Sequence, residues 1–304
     1  MTPSRLPSEP AGEGTPSKPG RKLGPIVDVV GPVHRGWLEA VRSRLHSSGM
    51  TASDLAQRAG WSKSKVTELL RGAGLYPQWE ITHALIHVLG MPTRPMRRLW
   101  TAAALEAQKK QEWIEGSIER VVLPAGSDPP PLDHQGFTVL YGSSYFSYAK
   151  VFLHGDGEAE QVVTETIDIL WLLWEEALGS ADTQKYAWQV LRQGVMARAP
   201  HIDGYPELAG AAFDTVALDT ATGLARFLQL EESLAVFQAV SRLPDFQLDV
   251  IVLRYLRGRD ESSVADILGV PTALVSSAER HAKRSLTTKL IPHHRPGGHH
   301  ASDR

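Results

Sequence analysis

Apolar residues recur every three or four positions along most of the chain, which is the spacing of amphipathic α-helices. In the first such segment, Leu38, Val41 and Leu45 lie on one side of a predicted helix that ends at Gly49. No segment alternates between apolar and polar residues for more than a few positions, as a half-buried strand would. The sequence therefore predicts an all-α fold.

Stretches rich in proline, glycine and serine divide this helical pattern into parts. Residues 1–32 and 291–304 have few large apolar side chains and are predicted to be a disordered arm and a disordered tail. The run Pro129, Pro130 and Pro131 cannot continue a helix and marks a linker at 116–136. The helical segments are then a first domain at 33–115, a second at 137–200 and a third at 231–290, with a looser connector at 201–230.

The first domain has the pattern of a helix-turn-helix, in which Gly60 supplies the turn between two short helices. Thr51 or Ser53 is predicted to cap the first helix and Ser62 the second, because hydroxyl oxygens accept hydrogen bonds from the free N–H groups there. The second helix has apolar residues on one side and a basic surface on the other, which suits the major groove of DNA. The residues on that outer surface are Lys63, Ser64, Lys65, Thr67 and Arg71.

Residues 51–72, together with a fourth helix from Trp79 to Gly90, resemble the phage-repressor-like helix-turn-helix of the XRE family. The resemblance implies a five-helix DNA-binding domain. It places Ser62, Lys63, Ser64, Lys65 and Thr67 on the helix that faces the groove. It also places Thr51 and Ser53 where the preceding helix contacts phosphate. The alternative is an ordinary helical bundle with a basic solvated face.

The second domain contains a strongly acidic helical pattern. Residues 155–176 carry seven Asp and Glu residues and neither Lys nor Arg. Apolar residues such as Val162, Ile167 and Leu170 form the other side of this helix. Such a helix suits a basic protein surface rather than DNA, although a solvated acidic helix has the same pattern.

The third domain repeats the helix-turn-helix pattern. Val264, Ala265 and Leu268 are predicted to face inward, Gly269 to make the turn and Thr272 to cap a final helix. Polar and basic residues on that final helix point outward, namely Ser276, Ser277, Arg280, Lys283 and Arg284.

The second and third domains together resemble σ factors of the ECF type. Residues 243–286 resemble σ region 4, which implies DNA contacts from Thr272 and from the outward residues of the final helix. Residues 137–199 resemble σ region 2, which implies a polymerase-binding helix carrying Asp156, Glu160, Glu165 and Asp168. The chain departs from the family where the last helix usually begins with basic residues, since Leu274, Ser276, Ser277 and Ala278 stand there.

Composition narrows the function classes. Lys and Arg total 32 against 34 Asp and Glu, which excludes a polybasic protein but permits a local basic surface. Without cysteine there are no disulfides, cysteine zinc sites or thiol nucleophiles. No apolar run approaches the roughly 18 residues that a membrane span needs. His83 and His87 have a metal-compatible spacing, but no third ligand accompanies them, so no metal site and no cofactor are expected.

The sequence therefore predicts a transcription regulator rather than an enzyme. Its expected partners are double-stranded DNA, the core of RNA polymerase and a second copy of the chain in a homodimer. It is expected to be cytoplasmic and nucleoid-associated in a bacterium, with no membrane contact. One alternative is a functional ECF-type σ factor. The other is a DNA-binding protein whose σ-like body serves only dimerisation or protein interaction.

Overall fold

The computed structural model describes residues 23–121, 129–208 and 235–290, and most of these are α-helical, as predicted. We call residues 23–121 the N-terminal unit and residues 129–290 the body. The helices of the N-terminal unit are α1 (Pro32–Ser47), α2 (Ala52–Arg58), α3 (Lys63–Leu70), α4 (Trp79–Val88), α5 (Thr93–Glu106) and α6 (Gln111–Glu119).

The body begins with α7 (Leu132–Phe152), α8 (Asp156–Leu172), α9 (Trp174–Leu178) and α10 (Thr183–Met196). A short antiparallel hairpin follows, formed by β1 (His201–Ile202) and β2 (Tyr205–Pro206). Residues 235–241 are helical. The chain continues with α11 (Asp245–Ile251), a π-helical turn (Val252–Leu256), α12 (Glu261–Leu268) and α13 (Thr272–Leu290).

The helix boundaries of the first helix-turn-helix follow from its capping residues. The Thr51 hydroxyl accepts a hydrogen bond from the Asp54 backbone N–H, and the Asp54 carboxylate accepts one from Thr51 in return, which closes a capping box at the start of α2. Ser62 caps α3 by accepting from the Lys65 N–H. Gly60 has a φ of 74°, a left-handed conformation that glycine adopts without strain. The turn and the Ser62 cap are confirmed, and Thr51 rather than Ser53 caps α2.

Aromatic side chains fill the core of the N-terminal unit. Trp37 on α1, Trp79 on α4 and Trp100 on α5 are all completely buried. Helix α1 packs along α5, and the Glu106 carboxylate at the end of α5 accepts hydrogen bonds from the backbone N–H groups of Val33 and His34. A residue far along the chain therefore satisfies the free donors at the start of α1.

The body has one continuous apolar core, which extends from Phe137 on α7 to Ala282 on α13. A buried carboxylate, that of Asp249 on α11, lies within it. It accepts hydrogen bonds from the Tyr148 hydroxyl at 2.6 Å, from the Trp188 indole N–H at 3.1 Å and from the Arg192 guanidinium. These bonds join α7, α10 and α11.

Several predicted boundaries differ from the structure. Residues 23–31, assigned to the disordered arm, pack on the N-terminal unit: the Val27 N–H donates to the Arg71 carbonyl, and Arg42 donates to the Gly24 carbonyl. Helix α7 begins at Leu132, inside the predicted linker, with Pro131 as its N-cap residue, so the prolines precede the helix and do not interrupt it. Helix α13 begins at Thr272, so this residue is the first of the helix and not its cap. Residues 116–119, assigned to the linker, complete α6, and residues 201–206 of the predicted connector form the β1–β2 hairpin. The remaining parts of these segments, residues 1–22, 122–128, 209–230 and 291–304, lie outside the described residues.

His34 gives the N-terminal unit a specific pH dependence. Its ring is buried between Trp37 and Tyr76, and burial lowers the pKa of the imidazole to about 4. The unfolded chain binds a proton near the ordinary value of 6.5, so stability falls as the pH drops from 6.5 towards 4. We expect His34→Phe to remove up to about 3 kcal/mol of this loss, measured by urea unfolding at pH 7 and pH 4.5. His46→Phe, at an exposed site on the same helix, should keep the wild-type dependence.

Candidate nucleic-acid interface

Helix α3 presents a row of exposed polar side chains. Ser62, Lys63, Ser64 and Lys65 are exposed and Thr67 is half-buried. The opposite side of the helix is anchored by three buried apolar residues, Val66, Leu69 and Leu70. The predicted split between the two sides of α3 is thus observed, and the exposed side has the hydroxyl and ammonium groups that bind phosphate oxygens and base edges.

The start of α2 contributes less free hydrogen-bonding capacity than the sequence suggested. The Thr51 hydroxyl already donates to Asp54 at 2.7 Å and accepts from its backbone N–H. Hydrogen bonds from Thr51 hold the pKa of the Asp54 carboxyl below its usual range. Ser53 is exposed beside this capping box. Of the two predicted phosphate contacts, Ser53 is therefore the one whose hydroxyl is not committed to the cap.

Arg71 does not lie in the exposed row of α3. It is the residue after the helix, half-buried, and its side chain lies against Gly24 of the N-terminal segment. A Cβ at Gly24 would come within 3.1 Å of Arg71 Nε. The sequence placed Arg71 on the outer surface because it could not show that residues 23–31 fold back over it.

The second helix-turn-helix consists of α12 and α13. Val264, Ala265 and Leu268 are buried as predicted, and Gly269 turns the chain with a φ of 61°. This turn lies directly on the start of α10, where a Cβ at Gly269 would be 2.2 Å from the Lys185 backbone nitrogen. Only glycine fits this close approach, so the turn fixes the third domain against the second.

The outward residues of α13 fall into two groups. Thr272, Arg280, Lys283 and Arg284 are exposed, and Lys283 forms an ion pair of 2.7 Å with Glu279. Ser276 and Ser277 are half-buried, and the Ser276 hydroxyl donates to the Glu261 carboxylate. The exposed group forms a basic surface that faces away from the core of the body.

The four acidic residues predicted to bind polymerase are divided by the structure. Asp156 and Glu160 are exposed, and Asp156 pairs with Lys150 at 2.7 Å. Glu165 and Asp168 are buried. Glu165 accepts from Arg198, and Asp168 accepts from Arg98 of the N-terminal unit at 2.7 Å. Burial raises the pKa of both buried carboxyls, and the two guanidinium groups oppose that shift.

These contacts between the acidic helices and the N-terminal unit were missed by the sequence reasoning. Besides the Arg98–Asp168 pair, Arg44 on α1 binds Glu175 at 2.7 Å and Ser43 donates to Glu176 at 2.7 Å. The signal available in the sequence was charge complementarity, because an arginine-rich first domain precedes a segment with seven acids. That signal does not say whether the partner is another protein or the same chain.

Comparison with known proteins supports the first of the two resemblances. Residues 38–100 match the family described as helix-turn-helix domain, and this range contains α2, α3 and α4. No curated protein matches the chain. The match ends before the body, so the likeness of residues 137–290 to σ factors remains a prediction. Among the described residues, no helix is both long enough and apolar enough to cross a membrane.

The basic residues of α3 give a testable salt dependence. Each lysine that neutralises a phosphate releases counterions, so Lys63→Ala with Lys65→Ala should weaken binding to duplex DNA and reduce the slope of log affinity against log salt by about 2. The measurement is fluorescence anisotropy of the full chain with a bound genomic fragment over a salt series. Lys109→Ala with Lys110→Ala makes the same charge change outside α3. A slope equally altered in both variants would contradict a specific role for α3.

Proposed function

We propose that this protein is a transcription regulator that reads an operator or promoter through α3 and contacts DNA or RNA polymerase through its σ-like body. The observation that carries the DNA-reading part is the exposed hydroxyl and ammonium row of α3 above a buried apolar side, within residues that match a helix-turn-helix domain. An isolated basic helix would lack this rigid support. The groove-facing residues are Ser62, Lys63, Ser64, Lys65 and Thr67, with Ser53 at the phosphate backbone.

A second DNA contact by the body is supported by α13. Its exposed Arg280, Lys283 and Arg284 lie along one helix that follows a glycine turn of helix-turn-helix type. Packing against α11 and the close approach of the preceding Gly269 turn to α10 hold this helix in a fixed position on the body. A fixed basic helix can add phosphate contacts without ordering costs at the moment of binding.

A contact with RNA polymerase is supported by the exposed start of α8. Asp156 and Glu160 project from the start of α8, a helix without Lys or Arg, and the Lys150 partner of Asp156 lies on α7. A basic protein surface would complement these charges, whereas DNA would be repelled by them.

The body is less suited to separating DNA strands by itself. Trp188 on α10 is buried and donates its indole N–H to Asp249. It therefore offers no free ring on which an extruded base could stack. This observation favours a regulator over a self-sufficient σ factor. We further propose that the protein binds DNA as a homodimer, since helix-turn-helix proteins commonly read paired half-sites.

Removing charge from α13 tests the second DNA contact. Arg280→Ala with Arg284→Ala should reduce the salt slope of DNA binding by about 2 while leaving helical content unchanged. Arg254 provides no suitable comparison because it is paired with Glu279. The single variant Arg284→Ala is compared with Arg120→Ala, which removes one charge at an exposed position on the N-terminal unit. An unchanged slope in the double variant would restrict DNA reading to α3.

Reversing charge on α8 tests the polymerase contact. We expect Asp156→Lys with Glu160→Lys to abolish capture of core RNA polymerase by the full chain, because like charges then face the partner surface. Binding to the DNA fragment should persist. Glu112→Lys with Glu119→Lys, which makes the same charge change on exposed sites of α6, should capture polymerase normally. Genome-wide mapping of bound DNA alongside this capture separates a regulator from a protein whose body is only an interaction module.

A further inference from the structure

The side of α8 that faces the N-terminal unit combines a buried carboxylate with an apolar strip. Asp168 lies there, 2 % exposed, and receives two hydrogen bonds from the Arg98 guanidinium. The same guanidinium lies 5.9 Å from the centre of the Trp171 ring. Ile169 and Leu172 belong to the apolar cluster of the N-terminal unit and not to that of the body. This side of α8 is therefore a binding surface, and α1 and α5 occupy it.

The contact has an apolar centre, where Leu172 joins the core of the N-terminal unit, and a polar margin. Its margin consists of polar pairs at the surface: Arg44 with Glu175, Ser43 with Glu176, and Glu39 with Gln193 at 3.2 Å. Exposed pairs of this kind are weak and are screened by salt. A cleft of about 220 Å³ remains open between α1, α8 and α10, so the two units do not pack tightly along their whole contact.

The occupied surface and the DNA-reading surface are on different helices. Helices α1 and α5 contact α8, whereas the exposed row of α3 lies outside this contact. The N-terminal unit can therefore stay on DNA when it leaves α8. Leaving α8 exposes Asp168 together with Leu172, which is buried in the contact, and Ile169, which is half-buried there.

We propose that the Asp168 side of α8 is a second docking surface for a protein partner, and that the N-terminal unit competes with that partner for it. The partner presents what α5 presents here, an arginine on an apolar helical surface. This inference rests on the proposed function, in which the partner is core RNA polymerase. The exposed Asp156 and Glu160 then make the first contact, and Asp168 becomes available only in the open form.

In the closed form, the N-terminal unit occupies the Asp168 side of α8. This form can be cross-linked at chosen positions because the chain has no cysteine of its own. The Ser43 hydroxyl and the Glu176 carboxylate are 2.7 Å apart across the contact. Ser43→Cys with Glu176→Cys, bridged by a short reagent with two thiol-reactive ends joined through a disulfide, ties α1 to α9. We expect the bridged protein to lose about tenfold or more in capture of core polymerase, to keep its DNA affinity, and to recover capture after reduction. The two single-cysteine variants, treated identically, are the controls.

Arg98→Glu tests the open form, in which the N-terminal unit has left α8. The variant places a second carboxylate opposite that of Asp168 and so weakens the contact. We expect up to about tenfold stronger capture of core polymerase, because less of the protein is held in the closed state. Amide hydrogen exchange should also become faster along α8. Arg97→Glu, an exposed neighbour with the same charge change, should match the wild type. If Arg98→Glu fails to fold, Gly36→Leu is the second opening variant, since a Cβ at Gly36 would lie 2.8 Å from Ile169 Cδ1.

The outcomes separate this inference from the function on which it rests. If the bridged and reduced proteins capture polymerase equally well, the competition is refuted and the polymerase contact at Asp156 and Glu160 stands. If no form captures polymerase while DNA binding persists, the polymerase contact itself is wrong and the inference fails with it. Loss of capture on bridging, with gain in Arg98→Glu or Gly36→Leu, supports the competition.

Discussion

The body depends on one buried carboxylate. Asp249 is 2 % exposed, and burial raises the pKa of its carboxyl while the Arg192 guanidinium opposes that shift. A buried charge is tolerable only when its oxygens are hydrogen-bonded, and here a hydroxyl, an indole N–H and a guanidinium from two other helices supply those bonds. Removal of one partner from such a pair typically costs about 3–5 kcal/mol. These hydrogen bonds therefore fix the positions of helices α7, α10 and α11 relative to one another.

The sequence predicted the helices and turns better than the packing between them, because this packing depends on contacts between distant parts of the chain. The caps at Thr51 and Ser62 and the turns at Gly60 and Gly269 follow from local chemistry within a few residues, and the structure confirms them. The contact between Asp249 and Tyr148 joins residues 101 positions apart, and nothing in either segment alone identifies the other. Periodicity gave the inner side of each helix, but it could not show that the second and third helical segments share one core.

At the candidate DNA-binding site, too, local helix geometry could be predicted from the sequence, whereas contacts with distant segments could not. The exposed row of α3 could be predicted because its inner residues, Val66, Leu69 and Leu70, define the outer side by helical geometry. Arg71 was misplaced because the segment that covers it, residues 23–31, reads as a solvated arm by composition. The sequence predicted one polymerase-binding surface made of four acidic residues, namely Asp156, Glu160, Glu165 and Asp168. A helix packed among others exposes only part of its circumference, so two of these residues are exposed and two are buried against neighbouring helices.

Pairing within the chain also changes how its near-neutral charge should be understood. Arg98 and Arg44, which in the sequence look like additional DNA-binding charge, are bound to Asp168 and Glu175 of the body. Among the residues that the structure describes, Lys63 and Lys65 form no such ion pair and remain exposed on α3. Internal pairing thus uses basic charge in the contact between the N-terminal unit and the body, and leaves unpaired basic charge on α3. A protein with a formal charge of −2 can present a basic surface to DNA because its acidic helices neutralise arginines elsewhere.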